Sequence, residues 1–214
     1  MKRSPDCLSK EFLLFDFDGT LANTLPLTVR CVNTLAKEYD YPLVKETAVL
    51  RNKTMQAIIK ENLKLSAWQL PRYLRKLKKL LADNAHEITL VKDMPQIIRL
   101  LSKNHSLGII TSNSNTIVDA VLDKGRISDA FEFIHTDSSL FGKSVVIKKV
   151  LKKYKIHKEN VAYIGDETRD IEACKRLELT CISVCWGFNS KEALLINNPD
   201  YLVETPKGLL KIFC

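Results

Sequence analysis

Between Met94 and Phe213 the sequence keeps one beat: a short apolar run, a polar break, then a stretch whose apolar residues recur at helical spacing. "MPQIIRLLSKN" (94–104) reads as a helix capped by Asp93, "HSLGIITSNS" as a strand, and "NTIVDAVLDKG" as a helix ending at Gly125. "FEFIHTD" is a strand before the lysine-rich helix "KSVVIKKVLKKYKIHK" (143–158), and "VAYIGDE" a strand before the helix "TRDIEACKRLEL". "TCISVCWG", "SKEALLIN", "DYLVE" and "PKGLLKIF" continue as strand, helix, strand and helix. Strands alternating with helical segments point to an α/β fold, a doubly wound parallel sheet with helices on both faces.

The same unit opens earlier, at "FLLFDFDGTLANT" (12–24). Four apolar residues run into Asp16, Phe17 and Asp18. An Asp-Gly step after a strand is a strong hairpin signal, but a hairpin needs a second strand at once. Instead "LANTLPLTVRCVNTLAKEYD" follows, with Leu27, Cys31, Val32 and Leu35 at helical spacing and Pro26 tolerable in a first turn. Residues i and i+2 of a strand point to one side, about 6–7 Å apart along the chain. Two carboxylates so placed at a strand's end suggest a cation or phosphate chemistry. The next block, to about residue 90, is nearly free of glycine and reads as several helices. Within it "SAWQ" (66–69) resembles a capping box and Pro71 starts or kinks the next helix. It interrupts the alternation as an insertion or cap. The expected division is therefore a core of residues 1–21 and 91–214 and a helical cap of residues 22–90.

Composition narrows the class. No stretch approaches the roughly 20 apolar residues that span a bilayer, and "MKRSPDCLSKEF" lacks the apolar run of a signal peptide. The six cysteines form no CxxC pair and have no histidine at zinc spacing, so buried free thiols in a reducing, cytoplasmic setting are expected. The net charge of +8 is concentrated in "RYLRKLKKLL" (72–81) and in the run 143–158. Each run pairs an apolar face with a lysine-rich one. That is either a solvated helix face or a lure for anions. No basic stripe interleaved with aromatics marks a nucleic-acid module.

In an open parallel sheet, ligands bind beyond the carboxyl ends of the strands. Those ends supply Asp16 and Asp18 from the first strand, Thr111, Ser112 and Asn113 from "IITSN", and Asp166 with Asp170 from "GDETRD". Lys143 opens the helix after "FEFIHTDSSLFG". Each alone could be a turn or cap residue. Together, in this order, they resemble the four motifs of the haloacid dehalogenase-like superfamily of phosphohydrolases. "DFDGT" matches its DxDGT motif, "IITSN" its strand ending in Thr or Ser, Lys143 its motif lysine and "GDETRD" its acidic GDxxxD motif. The likeness spans essentially the whole chain. It departs at "KDMPQ", where a Pro-Gly is frequent, and at Ser144, where Pro often follows the lysine; Lys148 and Lys149 lie just beyond. The helical block looks like the cap of the phosphoglycolate-phosphatase-like subgroup.

The resemblance implies a Rossmann-like core and a Mg²⁺-dependent phosphatase acting on a small phosphorylated metabolite through an aspartyl-phosphate. Asp16 would be the nucleophile and Asp18 the general acid and base. Thr111, Ser112, Asn113 and Lys143 would bind the phosphoryl group. Asp16, Asp166, the Asp18 backbone carbonyl and Asp170, through water, would surround the metal. Gly19 and Thr20 would shape the turn beside them. Asp18 disfavours a dehalogenase, which lacks that second carboxylate, and the lack of membrane segments excludes a P-type pump. A phosphomutase acting on a sugar phosphate, or a non-catalytic basic binding domain with a vestigial site, are the alternatives.

Overall fold

A computed structural model of the chain describes residues 8–45, 51–53, 58–137 and 142–213. Its centre is strand β1 (Phe12–Phe15), whose Leu13, Leu14 and Phe15 are completely buried. A strand covered on both faces reads as a continuous apolar run rather than an alternation, which is why "FLLF" carries no polar residue. No hairpin forms at the Asp-Gly step. β1 instead pairs in parallel with β2 (Ser106–Thr111) and with β4 (Val161–Gly165), Phe15 standing level with Ile109 and Ile164. With β3 (Phe133–Thr136), β5 (Thr180–Val184) and β6 (Tyr201–Val203) the sheet has six parallel strands in the order β3-β2-β1-β4-β5-β6.

The period of two sorts the side chains. Leu13, Phe15, Ile109, Ile164 and Ile182 face one side, over helix α3 (Met94–Leu101) and helix α8 (Pro206–Phe213). Leu14, Ile110, Tyr163 and Cys181 face the other, over helix α5 (Lys143–Lys153) and helix α6 (Thr168–Leu177). Helix α4 (Asn115–Lys124) follows β2, and the short helix α7 (Lys191–Ile196) follows β5. The doubly wound core is thus as the alternation predicts.

After β1 the chain enters helix α1 (Leu25–Tyr39), a single π-helical turn (Ile58–Asn62) and helix α2 (Gln69–Asp83). These form a helical cap with a small core of its own: Leu35, Ala36, Tyr39, Tyr41, Leu63 and Tyr73. The Tyr39 and Tyr73 rings meet edge to face at 5.1 Å, and the hydroxyls of Tyr41 and Tyr73 lie 3.2 Å apart. Parts of the predicted helical block, residues 46–50 and 54–57, lie outside the described residues. Ser66 and Gln69 do form the reciprocal bonds of a capping box, Gln69 N–H to Ser66 Oγ at 3.3 Å and Ser66 N–H to Gln69 Oε1 at 2.9 Å.

Two local expectations need correction, at Asp93 and in the lysine-rich helix. Asp93 precedes α3 but makes no side-chain cap; its φ of 67° puts it in the left-handed region that short Asp and Asn side chains tolerate. Gly125 ends α4 as expected, with an ordinary negative φ, and the left-handed turn falls one residue later, on Arg126. The lysine-rich helix stops at Lys153, with Lys155 at φ 55°, because Ile156 must turn back into the core. The four cysteines among the described residues, Cys31, Cys174, Cys181 and Cys185, are free thiols, as expected, and the first three are buried.

Candidate active site

Strand order reverses between β1 and β4, and such a reversal opens a crevice at the carboxyl edge of the sheet. Asp16 leaves β1 there and Asp166 leaves β4. Asp170 follows one turn into α6, where its Oδ2 accepts the Glu167 N–H at 3.0 Å. Carboxylate oxygens of Asp16, Asp166 and Asp170 all lie within 4.8 Å of one another, and all three residues are buried. Lys143, at the first position of α5, brings its Nζ to 2.7 Å from Asp16 Oδ2 and also pairs with Asp170 Oδ1. Lys148 and Lys149 are exposed further along that helix.

Burial pushes the Asp16 carboxyl above its ordinary range, although Lys143 pulls it back; Asp170 adds to the rise. Burial and the nearby Asp16 push Asp166 well above that range. Burial alone would lower the Lys143 ammonium, yet Asp16 and Asp170 together hold it well above its ordinary value. Asp18 is pushed up to about 6, first by burial and then by the charge of Asp16.

The turn after β1 is shaped around Asp166. Thr20 donates its hydroxyl to Asp166 Oδ1 at 2.7 Å, and the Phe188 N–H donates to Oδ2 at 2.7 Å. Gly19 sits at φ 78°, and a Cβ there would lie 2.2 Å from Asp166 Oδ2. Gly187 closes the other side: its Cβ would come within 2.1 Å of the same oxygen. Asn189, also buried, accepts the Thr168 N–H at 2.9 Å and donates to the carbonyls of Arg51 and Lys53 at 2.9 and 3.1 Å.

Two cavities meet at Ser112. One, of about 250 Å³, is lined by Asp16, Thr111, Ser112, Lys143 and Arg169. The second, of about 450 Å³, lies on the side of Asp18 and Asn113 and is roofed by α2. Asn113 Nδ2 donates to Asp18 Oδ1 at 3.2 Å, and Ser114 caps α4 just beyond. The structure therefore brings together all the sequence-derived candidates: Asp16, Asp18, Thr111, Ser112, Asn113, Lys143, Asp166 and Asp170. It adds Arg169, which pairs with Glu167 at 2.5 Å and faces the smaller cavity. It also gives Thr20 a carboxylate partner beyond its place in the turn. Arg169 falls in a variable slot of the acidic motif, so only its place on the first turn of α6 could have drawn attention to it.

Three buried carboxylates against one buried ammonium leave an excess of negative charge. A small hard cation with oxygen ligands fits that imbalance.

The family model for haloacid dehalogenase-like hydrolases matches residues 13–184. The phosphoglycolate phosphatase of Synechococcus elongatus is 32% identical over 93% of this chain and 95% of its own length. Pyrophosphatase PpaX of Oceanobacillus iheyensis is 26% identical over 96% of this chain and 97% of its own. A haloacid dehalogenase-like hydrolase from Streptococcus pneumoniae superposes with a TM-score of 0.83 at 21% identity, covering 96% of this chain and 99% of that one. The chain belongs to the haloacid dehalogenase-like hydrolases, among their phosphatases. Among the described residues no helix is long and apolar enough to cross a membrane.

Proposed function

We propose that the protein hydrolyses a small phosphate monoester through an aspartyl-phosphate on Asp16, with Mg²⁺ as cofactor. The observation that carries this is the convergence of Asp16, Asp166 and Asp170 within 4.8 Å, with Lys143 Nζ 2.7 Å from Asp16. Asp16, Asp166, the Asp18 carbonyl and, through water, Asp170 would hold the ion, which when bound neutralises charge on the phosphoryl group. Lys143 restrains the free oxygen of Asp16 and adds a positive charge beside the phosphate. The Thr111 hydroxyl and the amides of Ser112 and Asn113, before the N-terminus of α4, take phosphoryl oxygens.

Asp16 forms a bond to phosphorus as the bond to the leaving oxygen breaks, and Asp18 gives that oxygen its proton. Water then attacks phosphorus, Asp18 takes a proton from it, and the bond between phosphorus and Asp16 breaks to release phosphate. A carboxyl near 6 serves both roles, since it is present in each protonation state near neutral pH. The phosphoglycolate phosphatases and the pyrophosphatase among the relatives support a compact substrate. The core of residues 1–21 and 91–214 would carry the chemistry and the cap, 22–90, would select the leaving group. A cytoplasmic location fits the free thiols.

Asp16→Asn keeps the shape and removes the nucleophile. It should lower kcat by roughly three orders of magnitude or more, measured as phosphate release with Mg²⁺ present. Chelation of the wild type should abolish the same activity and Mg²⁺ restore it. Retention of a tenth of wild-type turnover in the variant would refute the covalent route. A mutase would instead return isomerised substrate with little free phosphate.

A further inference from the structure

The larger cavity lies where a leaving group belongs. A monoester seated across Ser112 puts its phosphoryl group over Asp16 and its bridging oxygen beside Asp18, so the rest of the molecule falls under α2. The sequence offers several cations there, and the fold separates them. Arg72 and Lys76 turn to Glu38 on α1. Lys78 does not: it shares a stripe with Leu81 and Ala82 at i, i+3 and i+4, and that stripe roofs the cavity. Lys78 makes no ion pair among the described residues.

The cavity wall carries one carboxylate, Asp18, whose Oδ1 accepts from the Asn113 amide at 3.2 Å. It also carries one ammonium, Lys78, the Asn113 amide and the hydroxyl-rich start of α4. Lys78 is thus the one cationic side chain on that wall among the described residues. We infer that Lys78 is a specificity-determining residue that reads a second anionic group, carboxylate or phosphate, on the leaving group. This rests on the phosphatase reading above and names the substrate class it serves.

Phosphoglycolate and ethyl phosphate test it, because they differ by a carboxylate in place of a methyl group. The readout is the ratio of their kcat/KM values, with inorganic pyrophosphate as a second anionic probe against ethyl phosphate. Lys78→Met keeps length and removes charge. The preference for at least one anionic probe should fall about tenfold, the scale of one charge-assisted contact. The change should sit in KM rather than kcat, because a remote charge binds ground and transition states alike. It should persist in 0.5 M salt, where long-range steering is screened over about 4 Å. Lys78→Arg should recover most of it. Unchanged ratios for both anionic probes, or a fall that vanishes in salt, would overturn the inference and leave the phosphatase reading standing. Hydrolysis of none of the three by the wild type would remove both.

Discussion

Lys143 and Lys76 are the same residue type, each beside carboxylate partners, and they sit in opposite media. The Lys143 side chain is 12% exposed and bridges two carboxylates that are 5% and 0% exposed. Lys76 is 37% exposed and its partner Glu38 43%. In water an ion pair gains little, because solvent already stabilises both charges. Inside the protein, charges deprived of water must be balanced by neighbours or lose their ionisation. The difference teaches where this molecule spends stability. The cap's surface pairs are close to neutral, and the crevice between β1 and β4 holds charge that only function explains.

The largest effect should come from Lys143→Met. Removing one partner of a buried cluster leaves Asp16 and Asp170 uncompensated, a loss of about 3–5 kcal/mol for such pairs. Urea unfolding in chelator at neutral pH measures it. The loss should shrink as pH falls, because burial already raises the Asp16 carboxyl and a proton there relieves the missing charge. A loss below about 1 kcal/mol would mean that solvent reaches the crevice and that the comparison fails.

A smaller effect should follow pH. The folded Asp18 carboxyl is held up at about 6 against 3.8 in its ordinary state. Between those values the folded chain keeps a proton that the unfolded chain has released, so stability falls as pH rises. Chelated wild type should lose stability relative to Asp18→Asn from about pH 4, with the difference levelling above about pH 6. A difference that grows in the opposite direction would mean that folding lowers, rather than raises, this carboxyl.

The smallest effect belongs to the cap. Glu38→Gln releases Arg72 and Lys76 together, yet should change stability by less than about 0.5 kcal/mol. A loss several times larger would show that the surface network carries real weight and would erase the contrast with Lys143.

The parts of this site that were legible in the sequence share a cause. Asp16, Thr111 and Asp166 each end an apolar run, and a parallel sheet gathers all such ends at one edge. Lys143 and Asp170 follow because each opens or enters a helix after a strand. What stayed illegible depends on where side chains turn in three dimensions. Periodicity shows that α2 has a basic side, but not that Glu38 draws Arg72 and Lys76 to one flank while Lys78 is left over the cavity. The Phe188 amide has no side-chain signature at all, and Thr20 looks like any turn residue until Asp166 is placed beside it. Asp93 shows the same limit at a helix end: a good capping residue by type, used here for its backbone.

One contact set has a mechanical consequence. Asn189 grips the backbone of residues 51–53, and the Ser190 N–H adds a bond of 2.8 Å to the Arg51 carbonyl. The residue just before it, Phe188, holds an oxygen of Asp166. The insertion and the acidic loop thus share a tether a single residue long. A swing of residues 51–53 away from the sheet has to break that grip or drag the Phe188 amide with it. In the first case the swing costs several hydrogen bonds; in the second it is transmitted to the Asp166 carboxylate as a tug on its orientation. While the grip holds, movement of residues 51–53 and alignment of the Asp166 carboxylate are one degree of freedom, with Asn189 as the lever arm.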